Sequence, residues 1–252
     1  VLLANKNAVI YGGGGHVGGA IARAFAREGA KAHLAGRTLA NLEKVAERIR
    51  ADGGAVEVAE LDALDESQVD AHADAVAAAS GSIDISVNVI SLGDVQGTPL
   101  AEMSLDDFVR PIDTAVRSTF LTTRAAARHM IKQRSGVILT FGGGGDSPPV
   151  RDYSIGGFHV AMGALDVLRR QLAAELGGHG VRVLTLHSGG LPESLPDGFD
   201  GEEILAGIEE ATMLGRAATL EDVGNVAVFA ASDLARTMTG TSLNITCGAE
   251  TD

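Results

Sequence analysis

Short apolar runs alternate along this chain with longer stretches in which apolar residues recur every three or four positions. The first run, Asn7 to Tyr11, breaks into glycines and continues as a helical pattern with Val17, Ile21 and Phe25 on one face. Lys31 to Ala35 is the second run; Gly36-Arg37-Thr38 follows, then a helix with Leu39, Leu42, Val45 and Ile49 inward, which Thr38 is placed to cap. Ala55 to Leu61 alternates as a strand does and delivers Asp62, after which Asp65 opens a helix carrying Val69, Ala73 and Val76. Ile83 to Ile90 reads as a fourth strand with Asn88 and Ser91 near its end. Ser104 caps a short helix through Phe108, and Pro111 predicts a fresh start, with a second helix from Ile112 to Lys132.

The second half keeps the alternation. Gly136 to Phe141 is a fifth strand running into four glycines, Asp146 and a proline-containing loop to Tyr153. A helix from Gly157 to Leu176 is expected to bury Val160, Ala164, Leu165, Leu168 and Leu172, with Phe158 and Met162 sharing another face. Val181 to Leu186 is a sixth strand opening into His187-Ser188-Gly189-Gly190-Leu191. Residues 193–213 are acidic and loosely helical, the expected substrate lid; Leu220 to Ala231 is the last helix and Ser242 to Thr246 the seventh strand. Strand and helix in turn, with a glycine turn first, imply a doubly wound parallel α/β sheet with helices on both faces, in a single domain over residues 1–252.

The glycine turn supplies the first chemistry. Gly13, Gly15 and Gly18 fit G-x-G-x-x-G, while Gly12, Gly15 and Gly18 fit G-x-x-G-x-x-G. A backbone that must turn sharply, approach a pyrophosphate and aim helix N-terminal amides at it needs glycine at those points. Gly12, Gly15, His16, Val17 and Gly18 are therefore the expected pyrophosphate site. At the end of the second strand a dinucleotide fold meets the adenosine ribose, where an acid would bind a 2'-hydroxyl and an arginine a 2'-phosphate. Gly36 stands in place of the acid and Arg37 supplies the cation, so NADP(H) is expected over NAD(H), Thr38 lying beside it; the plainer alternative is a solvated surface arginine. Asp62 is placed to accept from the adenine amino group. Asn88 and Ser91 sit at the carboxyl end of the fourth strand, where such sheets bind ligands, although Asn88 equally suits a structural tie between strand ends.

Composition narrows the classes. Thirty-three acidic against twenty basic residues give a net charge of −13 with no basic cluster, which argues against a nucleic-acid partner. No leader pattern and no apolar run of about eighteen residues is visible, so no membrane span is expected. The single Cys247 excludes an internal disulfide and fits a cytoplasmic location. The histidines show no metal-ligand spacing, and no metal is expected.

VIYGGGGHVGGAIARAFAREGA, AGRT, IDISVN, RRQLAAELGGHGVRV and LGRAATLEDVGNVAVFAASDLARTMTGTSLNI, in that order, resemble the short-chain dehydrogenase/reductase family over nearly the whole chain. The resemblance implies a Rossmann-type, seven-stranded sheet, a nicotinamide cofactor, and a homodimer or homotetramer paired through the long helices. It places Ser188, Gly189 and Leu191 beside the nicotinamide. It also implies a catalytic Asn, Ser, Tyr and Lys, and these are missing: Ala115 stands at the Asn, Gly142 or Gly143 at the Ser, Phe158 at the Tyr and Met162 at the Lys. A tyrosine titrates near pH ~10 and needs an adjacent ammonium to exchange its proton readily; phenylalanine and methionine keep bulk and lose that function. Tyr153 in the substrate loop and His159 beside Phe158 are the candidate replacement proton donors, against plainer roles as a loop-packing aromatic and an ordinary helix residue. His187 and His16 are placed to shape cofactor binding. Two functions follow: an NADP(H)-dependent reductase of a carbonyl, imine or activated enone with a displaced proton donor, or a cofactor-binding homologue without redox turnover.

Overall fold

This computed structural model describes residues 1–142, 153–194 and 201–251, those from 201 to 204 in their backbone only. Seven strands form one sheet: β1 (Asn7–Tyr11), β2 (Lys31–Gly36), β3 (Val56–Glu60), β4 (Ile85–Asn88), β5 (Gly136–Phe141), β6 (Val181–Ser188) and β7 (Ser242–Ile245). Their order is β3-β2-β1-β4-β5-β6-β7, every pairing parallel. The chain therefore winds outward from β1 in one direction and from β4 in the other. Tyr11 lies opposite Asn88 in the register, and at such a reversal the crossovers leave a crevice at the carboxyl ends of the strands.

Helices cover both faces, which is why a strand such as β1 is buried along its whole length and apolar from Ala8 to Tyr11. On one face α1 (His16–Arg27), α2 (Leu39–Ala51) and α7 (Leu220–Ala231) pack Ile21, Phe25, Leu42 and Val223 against Ile10 and Leu34. α1 and α7 meet closely: a Cβ on Gly224 would stand 3.0 Å from the Ala24 Cβ and 3.3 Å from the Ala20 carbonyl oxygen. On the other face α3 (Glu66–Ser80), α4 (Leu105–Gln133) and α5 (Phe158–Leu176) pack Val69, Ala125, Met130 and Ala173 against Val9, Tyr11 and Val183. α6 (Gly201–Glu210) lies in the segment expected to be a lid and sets Ile208 against Gly190.

Three local expectations are corrected. Pro111 does not start a new helix: α4 is continuous from Leu105 to Gln133 with Pro111 buried inside it. Helix propensity is overridden by packing there, because Gly157, the residue before α5, brings its backbone against the Phe108 carbonyl and the Pro111 ring; a Cβ at 157 would lie 3.1 Å from Pro111 Cγ. Thr38 precedes α2 in extended conformation, but its side chain makes no capping hydrogen bond. The buried face of α5 is also rotated from the expected one. Val160 is 49% exposed, and the inward side carries Ala161, Met162, Leu165, Asp166, Arg169, Ala173 and Leu176. The cause is polar: Asp166 and Arg169 lie 3.4 Å apart, and Arg169 also donates to the Ser242 hydroxyl, so a buried ion pair occupies positions that a hydrophobic pattern assigns to solvent.

Candidate active site

The glycine turn is built around two close approaches. Gly12 has φ +87°, and a Cβ there would strike the Val89 carbonyl that follows β4. A Cβ on Gly18 would strike the Gly12 carbonyl. Neither position accepts a side chain, so Gly12 and Gly18 carry the structural demand, with Gly13 tight against Leu34, whereas a Cβ on Gly15 would meet only the Gly12 carbonyl oxygen at 3.4 Å. Gly15 is the N-cap of α1 and offers no side-chain cap, which leaves first-turn amides at His16, Val17 and Gly18 directed outward. A cradle without Cβ atoms at an open helix N-terminus suits a pyrophosphate, and these residues fit a dinucleotide.

The crevice continues in both directions from that turn. Toward β2 it is lined by Arg37, Thr38, Asp62, Ile90 and Ser91. Arg37 is exposed and makes no ion pair among the described residues. Asp62 is partly engaged, its Oδ1 accepting from the Leu64 amide at 3.0 Å. Toward β5 and β6 a cavity of about 500 Å³ extends from Gly15, His16, Val17 and Gly18 past Asn88 to Phe158, Met162, Leu165 and Leu191. Ala115, Ser118, Ser188 and Gly189 also line it.

Asn88 takes the structural role as well as facing the cavity. Its Nδ2 donates to the Ser118 and Thr122 hydroxyls at 3.3 and 3.0 Å, and its Oδ1 accepts from the Ile90 amide at 3.2 Å. The amide thus ties β4 to α4. Ala115 and Met162 are buried. Met162 leans on Gly142, where a Cβ would come 2.5 Å from its sulfur. Gly143 lies outside the described residues.

The expected proton donors are not brought to this cavity. Tyr153 is 52% exposed, and neither it nor His159 is among the described residues lining the cavity. Four ionisable side chains line it instead: His16, Asp94, His187 at the end of β6 and Glu250 after β7. Glu250 carries no sequence signal of its own, being an acidic residue in a loop, and only the pairing of β6 with β7 brings it near His187. Among the described residues no group of three His, Cys, Asp or Glu is arranged to hold a metal ion.

Residues 15–250 match the family described as Enoyl-(Acyl carrier protein) reductase. A short-chain type dehydrogenase/reductase from Mycobacterium marinum superposes with a TM-score of 0.89 at 29% identity, covering 99% of this chain and 97% of that one. The chain belongs to the short-chain dehydrogenase/reductase family. Among relatives in this family of oxidoreductases, D-threitol dehydrogenase of Mycolicibacterium smegmatis is 32% identical over 247 residues, 98% of this chain and 93% of its own length. A gluconate 5-dehydrogenase from Burkholderia cenocepacia, solved in complex with NADP and tartrate, is 25% identical with a TM-score of 0.89, covering 98% of this chain and 96% of that one. The short-chain dehydrogenase/reductase membership accounts for the sheet order and for the nicotinamide-type crevice alike.

Proposed function

We propose that this protein is an NADP(H)-dependent reductase acting on a carbonyl, an imine or an activated enone. The observation that carries the reading is one continuous cavity joining the glycine turn at Gly15 and Gly18 to an apolar wall of Phe158, Met162 and Leu165. When bound, the cofactor supplies hydride to an electrophilic carbon. The chain's own residues do the rest: His16, Val17 and Gly18 hold the pyrophosphate by backbone amides, Arg37 and Thr38 receive the 2'-phosphate, and Ser188, Gly189 and Leu191 flank the nicotinamide. Phe158 and Met162 exclude water and carry no exchangeable proton, which favours substrates whose carbon is already polarised. The described part of the expected lid seats Ile208 of α6 on Gly190, next to the cavity-lining Leu191, and we read it as the substrate cover; residues 195–200 lie outside the described residues. The protein works in the cytoplasm as a homodimer or homotetramer.

A second reading, a cofactor-binding homologue without turnover, is favoured by Phe158 and Met162 alone. Titration with NADPH and NADH followed by nicotinamide fluorescence, then addition of ketones, imines and enones, separates the two. Consumption of NADPH by one substrate class is expected. Arg37→Glu is expected to weaken NADPH about ten- to a hundredfold, by loss of a charge-assisted contact, while sparing NADH. Equal loss for both nucleotides would remove the 2'-phosphate assignment, and binding of neither would sink the cofactor reading.

A further inference from the structure

His187 is nine-tenths buried at the end of β6, between the cofactor crevice and the substrate wall. Strand alternation fixes its direction. Leu184 and Leu186 point into the core under α1 and α7, so Thr185 and His187 face the α4 and α5 side, on which Met162 and Leu165 lie. Its Nε2 stands 3.3 Å from Oε2 of Glu250.

The backbone of Glu250 is held in place by a braced turn after β7. The Asn244 side-chain oxygen accepts from the Thr246 amide at 2.9 Å and from its hydroxyl at 2.7 Å, while Asn244 Nδ2 donates to the Glu250 carbonyl at 2.9 Å. The Thr246 hydroxyl in turn accepts from the Glu250 amide at 3.2 Å. Asn244 is also the register partner of His187. The turn passes through Cys247 at φ +56°, uncommon for a residue with a side chain, and Gly248 at φ +85°, which glycine takes freely. An imidazole with one ring nitrogen on a carboxylate is held in one orientation, which leaves its other ring nitrogen to exchange a proton with a substrate.

We propose that His187 is the proton donor of the reduction and that Glu250 positions it. This rests on the reductase reading above. Two electrons arrive as hydride from the reduced nicotinamide at the substrate carbon; the N–H bond of the His187 imidazolium breaks, and its proton goes to the oxygen or nitrogen that was doubly bonded to that carbon, or, for an enone, to the position that collects its charge. Neutral His187 then regains a proton from solvent. The other ionisable groups facing the cavity are Asp94, after β4, and His16, at the start of α1. α4 contributes only hydroxyls, Ser118 and Thr119, and α5 the Asp166–Arg169 pair further along the same face.

The test uses the full chain with His187→Gln, His187→Ala and Glu250→Gln. With a substrate in hand, His187→Gln is expected to lower kcat by about a hundred- to ten-thousandfold with nucleotide affinity unchanged. Added imidazole restores part of the loss in His187→Ala, and Glu250→Gln lowers kcat by a smaller factor that Glu250→Asp partly recovers. Independently of turnover, histidine NMR of the nucleotide complex, with the His187 ring signal assigned by its loss in His187→Gln, should show that signal displaced in Glu250→Gln. Reduction at the normal rate in His187→Gln, or a His187 ring signal unmoved in Glu250→Gln, overturns this assignment and leaves the reductase standing. Binding of neither nucleotide, or binding without turnover of any substrate class, overturns both.

Discussion

His72 on α3 sets its ring edge-on to Tyr11, centroids 6.0 Å apart and planes at 77°, and its Nδ1 has no hydrogen-bond partner among the described residues. Burial, with a smaller push from the charge of His33, drives its pKa down to about 4. The unfolded chain binds that proton near pH ~6.5, so between about 6.5 and 4 the unfolded state holds more protons and stability is lost as pH falls. Burial lowers His33 as well, against the opposing pull of Glu57. His72→Phe should leave stability at neutral pH within about 1 kcal/mol and flatten the acid slope, by about 1.4 kcal/mol for each unit separating the two states. Urea unfolding across that range checks it, and an unchanged slope would discard His72 as a source. Single residues were also where reading from sequence reached its limit. The position of Arg37 directly after β2 was legible because it is local, and β2 is continuous. Tyr153 was chosen for its loop and His159 for its nearness to Phe158, but the helical phase of α5 turns Met162 into the cavity and leaves His159 aside.

At the scale of elements, positions with no room for a side chain set the geometry. Gly157 lets the start of α5 rest on the Phe108 carbonyl and the buried Pro111 ring, and this seat decides where Phe158 meets the cavity. Gly157→Ala is expected to destabilise the fold by roughly 1–3 kcal/mol through overpacking against backbone, and to weaken nucleotide binding because α5 must retreat. Chemical denaturation and fluorescence titration read the two effects, and an alanine variant of native stability would refute the tight seat. The same contact explains why Pro111 was misread. The preference against proline within a helix is a local rule, and what overrides it arrives from a helix some forty-five residues later. The strands and α7 were legible to within a few residues, since their apolar runs are local signals; the structure adds a Thr219–Asp222 capping box at the start of α7, a local signal that the apolar pattern alone does not show.

For the whole molecule, the alternation of elements was enough to foresee a doubly wound sheet, because parallel strands require crossovers and the crossovers have one hand. It could not foresee His187 beside Glu250, which depends on how two distant strands pair. The outer faces of α4 and α5 expose Val109, Val116 and Phe120, and Val160 and Val167, at intervals that fall on one side of each helix. If the proposed dimer or tetramer uses this surface, sedimentation of the native protein shows an assembly and Val116→Glu with Val167→Glu shifts it to monomer; a native monomer refutes the assignment. The contact of Gly224 with Ala20 and Ala24 has a consequence in time. During synthesis α1 emerges about two hundred residues before α7. Until α7 arrives, Ile21 and Phe25 lack the cover that Val223 and its neighbours supply, so the nascent chain carries sticky apolar surface over that interval and closure waits on contacts of long sequence separation. Folding speed and chaperone demand are thereby governed by the meeting of these two helices, far from any chemistry in the cavity.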